Sequence, residues 1–481
     1  MIFNSLSFLV FFVCFFFLYW FAFNRSLKLQ NLLILFGSYT FYACANWRFL
    51  LLLLAVSIIN FILGICIERS AKYKKILLWL GMIQALGGLM FFKYFNFFIE
   101  SFNSLFLALH VNISLQLVNI FIPVGISFFT FRTIGYLQDI YKKKISATKD
   151  PVVFFNYVAF FPCLLAGPID KAKTFIPQLE KKRIFKYDLA ADGMRQILWG
   201  VFKKMVIADN CSVVASEIFG NYQNLPGSSL LVGAFLYSVQ IYADFSGYSD
   251  IAIGISKLLG FNITRNFDYP YFSQNIAEFW RKWHISLTSW LTEYVFTPLN
   301  ISFRDYGRWG VGLAIVINFT IVGIWHGANW TYVLFGFVHG CFFIPLVIKN
   351  TINKKQKIAK DRLFPSFLEI ANILITCTFV MLTFIIFRSE NILNAFKYYK
   401  GLFSRSLLSS PIILHKRIAI LSLLFVLIMF FIEWLRREKE YGLQIDDIKH
   451  PIFRKLIYCI LIICIIFFSA SDANQFIYFK F

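Results

Sequence analysis

Runs of about twenty apolar residues recur along this chain from its first segment to its last, parted by short loops rich in Lys and Arg. A run of that length crosses the roughly 30 Å hydrocarbon layer of a bilayer as one helix. Inside lipid only a helix or a closed barrel satisfies every backbone hydrogen bond. Candidate spans lie near 5–23, 29–46, 48–67, 76–98, 113–136, 151–168, 194–218, 229–258, 310–348, 366–387, 416–434 and 454–470. The pattern predicts an all-α polytopic membrane protein with roughly eleven to thirteen crossings or half-crossings. Charge density agrees, since 15% of the residues are charged against roughly 25% in soluble domains.

Lys and Arg outnumber Asp and Glu by 47 to 25. The excess sits in RSAKYKK at 69–75, YKKK at 141–144, the loop 171–186, NKKQKIAKDR at 353–362 and RREKE at 436–440. Basic loops between apolar spans mark the cytoplasmic side. Because these clusters are dispersed rather than gathered on one domain, nucleic-acid binding is excluded as their purpose. The nine cysteines lie nearly all in apolar segments without CxxC or His/Cys ligand spacing, so they read as small core residues with neither a disulfide frame nor a metal site. The first apolar run has no basic region before it and no small-residue cleavage site, and is expected to be retained as a helix.

No polar segment is long enough to fold separately, which leaves one membrane-embedded domain, 1–481, as the expectation. No fixed-period repeat or pair of matching halves is visible. Residues 222–310 differ in texture: Gly, Pro, Asp, Asn and aromatic residues interrupt apolar pieces at Pro226, Gly227, Gly260, Pro270 and Pro298. Irregular backbone at membrane depth survives only around a protein-lined cavity. The stretch 222–340 is therefore the expected catalytic core.

Three histidines, His284, His326 and His339, fall in that core, and a histidine on a lipid-buried helix is costly to keep. From Glu278 to Thr297, Trp283, Leu287, Trp290 and Tyr294 recur at helical spacing. On one continuous helix, His284 would stand along an edge with Arg281 one turn before it and Thr288 one turn after. A second helix, about Val311 to Trp330, carries His326 between Gly323 and Gly327, a spacing that lets a neighbouring backbone come close. His339 would lie about 220° further round that helix if it were unbroken, which disfavours a metal pair with His326. A core hydrogen-bonding role is the simpler reading of His339, and a loop or span-edge position that of His110, His415 and His450.

Longer blocks carry a resemblance. QIYADFSGYSDIAIGISKLLGF at 240–261, NFDYPYFSQNIAEFWRKWHISLTSWLTEYVFTPL at 266–299 and GIWHGANWTYVLFGFVHG at 323–340 resemble the membrane-bound O-acyltransferase superfamily, in its bacterial alginate O-acetylation branch. MIFNSL at the start, PVGISFFTFRTIGYLQDIYKKK at 123–144, FFPCLLAGPIDKAKTFIPQL at 160–179 and GVFKKMVIADN at 200–210 extend it over almost the whole chain. The resemblance implies a ring of tilted helices around a thin centre holding a catalytic histidine. It puts that histidine, in its WHG context, at His326, and the partner position at His284. It further implies an O-acyltransferase of the cytoplasmic (inner) membrane that moves an acyl group, by expectation acetyl, onto an exopolysaccharide such as alginate. The expected donor is cytoplasmic acetyl-coenzyme A or an acylated carrier, with no bound cofactor or metal. The expected acceptor is the polysaccharide or a periplasmic acetyltransferase or esterase-like partner.

Transfer from a thioester to an alcohol needs a base for the hydroxyl proton and a donor for the carbonyl oxygen as it becomes negative. His326 is the candidate base, and His284 the candidate for positioning the thioester or stabilising the oxyanion. Asp244, Ser246, Tyr248, Glu278, Arg281, Trp325 and Asn329 are candidate substrate-binding residues. D-alanyl or other acyl transfer to teichoic acid or peptidoglycan is the alternative within the family, and a permease the alternative outside it.

Overall fold

The structure is a computed structural model that describes residues 3–354, 357–360, 362–470 and 476. Met1 and Ile2 of the opening motif, and Lys355, Gln356 and Asp361 of the basic loop 353–362, lie outside the described residues. Among the described residues every regular element is a helix. Seven are long and apolar enough to cross a membrane: Trp47–Arg69, Lys74–Ala108, Arg304–His326, Trp330–Ile348, Phe367–Arg388, Lys416–Leu435 and Pro451–Phe468. Leu6–Ala22 is a shorter apolar helix. The chain is thus an all-α polytopic membrane protein.

Contacts group the chain into two compact units: Met1–Ala191 with Ile255–Thr264, and Asp192–Gly254 with Arg265–Phe481. In the first unit two expected spans take a different form. The run 113–136 stays non-helical until Ile126, where Gly125 in a left-handed conformation (φ 77°) turns the chain into the Ile126–Tyr141 helix. A Cβ at Gly125 would collide with the carbonyl oxygen of Leu164, so the turn also needs glycine for space. The run 151–168 divides into Pro151–Ala159 and Phe161–Leu164. Pro162 has no amide hydrogen and its ring would strike a carbonyl one turn earlier, which ends the first helix before it.

Buried polar side chains in this unit are tied to backbone or to one another. Arg132 donates to the carbonyls of Tyr157 (2.9 Å) and Pro168 (3.1 Å). Arg183 donates to Asn31 Oδ1 (2.6 Å) and Gln30 Oε1 (3.2 Å), and Asn31 in turn donates to the carbonyl of Leu179 (2.9 Å). Thr264 donates from both its amide (2.9 Å) and its hydroxyl (2.6 Å) to Asp170.

Of the breaks expected in 222–310, Pro226 and Gly227 stand at the start of a helix, Gly260 follows its end in a left-handed conformation (φ 80°) and Pro270 opens a short 3-10 turn, while the stretch between Gly227 and Gly260 is unbroken. Gly227–Leu258 is one helix of 32 residues, with all but its last turn in the second unit. Its glycines do not break it; they admit a neighbour. A Cβ at Gly247 would lie 2.8 Å from the carbonyl oxygen of Gly200, and one at Gly200 2.6 Å from that of Gly247. Gly254 meets the backbone of Gly193 in the same way, one heptad along both helices. Pro298 does not close its helix either. A π-helical turn, Thr292–Phe296, precedes it and leads into Thr297–Ser302, so the missing amide falls where the ladder has already slipped.

Arg304–His326 and Trp330–Ile348 form a hairpin whose interface is also glycine on backbone. The Gly323 Cβ position is filled by the carbonyl oxygen of Tyr332, and that of Gly336 by the carbonyl of Phe319. Gly312, on the same helix as Gly323, has nothing within 4 Å of its Cβ position. Gly323→Ala should therefore lower stability by about 1–3 kcal/mol through overpacking, whereas Gly312→Ala should be neutral or gain up to about 1 kcal/mol from helix propensity. Thermal unfolding of the two variants in detergent, with membrane abundance beside it, checks the contrast.

Candidate active site

The site is built in the second unit from the end of one helix and a break in another segment. His326 is the last residue of Gly307–His326; Gly327 is extended and the next helix starts at Trp330. The helix expected to run on to Trp330 thus ends four residues early, at the histidine itself. Its imidazole is buried among aromatic rings, with centroids 4.8 Å from Trp325, 5.0 Å from Phe387 and 6.1 Å from Phe335.

His284 does not lie on a continuous helix, and the edge shared with Arg281 and Thr288 is not formed. Ile276–Lys282 stops, Trp283 is extended, His284 is left-handed (φ 46°, ψ 52°), and a new helix begins at Ile285. A left-handed conformation costs a non-glycine residue about 1–2 kcal/mol, so surrounding structure must hold it. The holder is the segment before Pro270: Ile285 N–H donates to the carbonyl of Asn266 (2.9 Å), and Asp268 N–H to the carbonyl of Lys282 (3.0 Å). Periodicity could not show this, because Trp283, Leu287 and Trp290 are all buried whether or not the helix is broken between them.

The two catalytic candidates meet through one indole. The Trp325 ring lies 5.7 Å from the His284 imidazole and 4.8 Å from that of His326. Phe245, from Gly227–Leu258, closes on His284 at 4.7 Å, edge to face. His284, Trp325 and His326 are therefore brought together, in surroundings that are aromatic and nearly closed to solvent.

The other candidates are placed elsewhere. Asp244 and Ser246 flank Phe245 in sequence and reach a buried cationic cluster. Lys204 bridges Asp244 (2.7 Å) and Asp209 (2.8 Å), while Lys203 bridges Asp250 (2.6 Å) and donates to Ser246 (2.9 Å). Both lysines start a π-helical turn, Lys203–Ala208, a local widening common near functional sites. Tyr248 packs edge-on against Phe476 at 4.8 Å. Glu278 accepts from Gln274 N–H (2.9 Å) and from Lys282 (2.7 Å) at the start of its helix. Asn329 caps the Trp330 helix by accepting from Thr331 N–H (2.9 Å) and donates to the carbonyl of Glu390 (2.7 Å). Arg281 donates to the carbonyl of Ile352 (2.8 Å). It also lines a cleft of about 670 Å³ with Arg265, Lys282, Lys357, Arg437 and Lys439, among the acids Asp268, Glu278 and Glu438.

Sequence reasoning missed Phe245, Asn266, Lys203 and Lys204. Two adjacent lysines inside the apolar stretch GVFKKMVIADN were a signal, since charge at that depth has to be paired. His339 is satisfied on both nitrogens: Trp280 Nε1 donates to its Nδ1 (3.1 Å), and its Nε2 stands 2.9 Å from Thr383 Oγ1. Because the indole can only donate, Nδ1 accepts and the ring is the neutral Nε2–H tautomer, tied into the core.

The backbone at position 284 yields a sign test. In a continuous helix glycine is about 1 kcal/mol worse than alanine; in a left-handed residue the order reverses by about 1–2 kcal/mol. His284→Gly should melt at a higher temperature than His284→Ala in detergent.

The model of the MBOAT, membrane-bound O-acyltransferase family, matches residues 91–389, a range that contains both histidines. The "Probable alginate O-acetylase AlgI" of Pseudomonas aeruginosa is 35% identical over 412 residues, covering 84% of this chain and 75% of the relative. The protein of the same name from Pseudomonas putida is 32% identical with both chains covered in full. The "Peptidoglycan O-acetyltransferase" of Helicobacter pylori is 32% identical over 79% of this chain and 75% of its own length. With a family model spanning more than half its length and relatives aligned over most of theirs, the chain belongs to the membrane-bound O-acyltransferase family.

Proposed function

We propose that this multi-pass membrane enzyme of the cytoplasmic (inner) membrane transfers an acetyl group from a cytoplasmic thioester to a hydroxyl on the outer side, for O-acetylation of an exopolysaccharide. The observation that carries the reading is the pair of buried imidazoles, His284 and His326, packed on the same Trp325 indole. The names of the Pseudomonas relatives support acetyl as the group and a polymer such as alginate as its destination.

His326 takes the proton of the acceptor hydroxyl as its oxygen attacks the thioester carbonyl carbon. The carbonyl oxygen becomes negative in the tetrahedral intermediate, where His284 supplies the stabilising contact. The carbon–sulfur bond then breaks, and the thiolate takes the proton back from His326. Aromatic walls keep water from competing as the nucleophile. The cleft holding Arg265, Arg281, Lys282, Lys357, Arg437 and Lys439 suits the phosphates of acetyl-coenzyme A or of a carrier's pantetheine arm. Its Lys357, Arg437 and Lys439 belong to the basic loops 353–362 and 436–440, which the distribution of positive charge assigns to the cytoplasm.

A cell-wall polymer as acceptor is the second reading, favoured by the Helicobacter pylori relative. Both readings are separated by one experiment: ester-linked acetate measured in the extracellular polysaccharide and in the peptidoglycan, for wild type and His326→Ala at matched membrane abundance. General-base catalysis contributes roughly 10²–10⁴ in rate, so the variant should lose nearly all acetate from one fraction while the polymer is still made. Unchanged acetate in both fractions would remove His326 from the mechanism.

A further inference from the structure

We propose that Asn266 is the positioning residue of His284, holding the left-handed backbone that sets where the imidazole points. The inference rests on the reading of His284 as a participant in acyl transfer. Asn266 is fully buried, with two hydrogen bonds on the break and one to Gly227–Leu258. Its carbonyl accepts from Ile285 N–H at 2.9 Å. Its side-chain Oδ1 accepts from Ser286 N–H at 3.3 Å, and its Nδ2 donates to Ser249 Oγ at 3.2 Å. Only an oxygen can accept from the Ser286 amide, which fixes the orientation of the side chain and leaves Nδ2 facing Ser249.

The arrangement ties three things together. The amides of residues 285 and 286 are the first donors of the Ile285 helix and have no partner within it. Asn266 takes both of them, one with its backbone and one with its side chain, so the new helix can begin only where His284 has turned left-handed. Ser249 belongs to Gly227–Leu258, one turn beyond Phe245, whose ring closes on the His284 imidazole at 4.7 Å. Through Ser249 the same asparagine sets the backbone of His284 and the helix that presents the ring packed against it. Without such ties a left-handed residue relaxes, because the conformation costs a non-glycine residue about 1–2 kcal/mol.

The test labels buried imidazoles in the full-length protein in detergent. Diethylpyrocarbonate carbethoxylates exposed imidazole nitrogens, and peptide mass spectrometry reads His284 and His339 separately; His339 sits in the same unit and serves as the internal control. Asn266→Ala should raise the labelling rate of His284 by about tenfold or more, equivalent to about 1.4 kcal/mol, with His339 and the melting temperature unchanged. Asn266→Asp keeps the oxygen that receives the Ser286 amide and should restore slow labelling. Acetate transferred in cells should fall with Asn266→Ala and recover with Asn266→Asp.

Unchanged His284 labelling in Asn266→Ala overturns the proposal. So does a parallel rise at His339, which would mean that the core as a whole has loosened. His284→Ala is measured alongside. If it retains wild-type acetate transfer while the labelling behaves as expected, Asn266 still positions His284 but His284 has no part in the reaction.

Discussion

A polar group taken out of water keeps its place only with a partner, and that requirement organises this molecule. Burying an unpaired amide or hydroxyl costs several kcal/mol, and a charge more. Arg183 is met by Gln30 and Asn31, Glu433 by the Tyr242 hydroxyl, Lys203 and Lys204 by Asp250, Asp244 and Asp209. Such pairs add little net stability over well-packed apolar side chains, but removing one member is expensive because the other is stranded. They act as pins of register, and they need helices brought close enough to share them. The backbone contacts at Gly193, Gly200, Gly247 and Gly254 supply that closeness beside the two lysines.

The buried histidines of the second unit show how the same requirement separates structure from chemistry. His339 has a donor on one nitrogen and a hydroxyl on the other, an arrangement that leaves no lone pair for a substrate. His284 and His326 stand at interruptions of helices and are packed by the rings of Phe245, Trp325 and Phe387. A helix end and a left-handed residue are places where backbone geometry can aim a side chain that a regular helix would send elsewhere. The two positions proposed for the chemistry thus coincide with departures from periodicity.

That coincidence also marks what could be read from sequence. Length and apolarity were enough to locate Trp47–Arg69, Phe367–Arg388 and Lys416–Leu435, because a span is a local property. His284 and His326 stood out as polar residues in apolar surroundings. The break at His284 was hidden, since Trp283, Leu287, Trp290 and Tyr294 keep helical spacing across it and its cause lies in the remote backbone of Asn266 and Asp268. Pro298 looked like a stop and is not one, because the π-helical turn before it had no signature in composition. Asp244 and Ser246 were noticed for their motif. Their partners, Lys203 and Lys204, are on another helix, and pairings of that range are not written in spacing.

The two adjacent lysines also bear on the order in which the chain can settle during synthesis. Lys204 finds Asp209 on its own helix, but the carboxylate that meets Lys203 is Asp250, which the ribosome supplies only later. Until then the earlier helix carries a cation with no counter-charge of its own. Burying that cation before its partner arrives would leave an uncompensated charge, which is strongly unfavourable. The two helices then settle as a pair rather than singly, and a variant lacking Asp250 would betray itself first as a failure of that pairing.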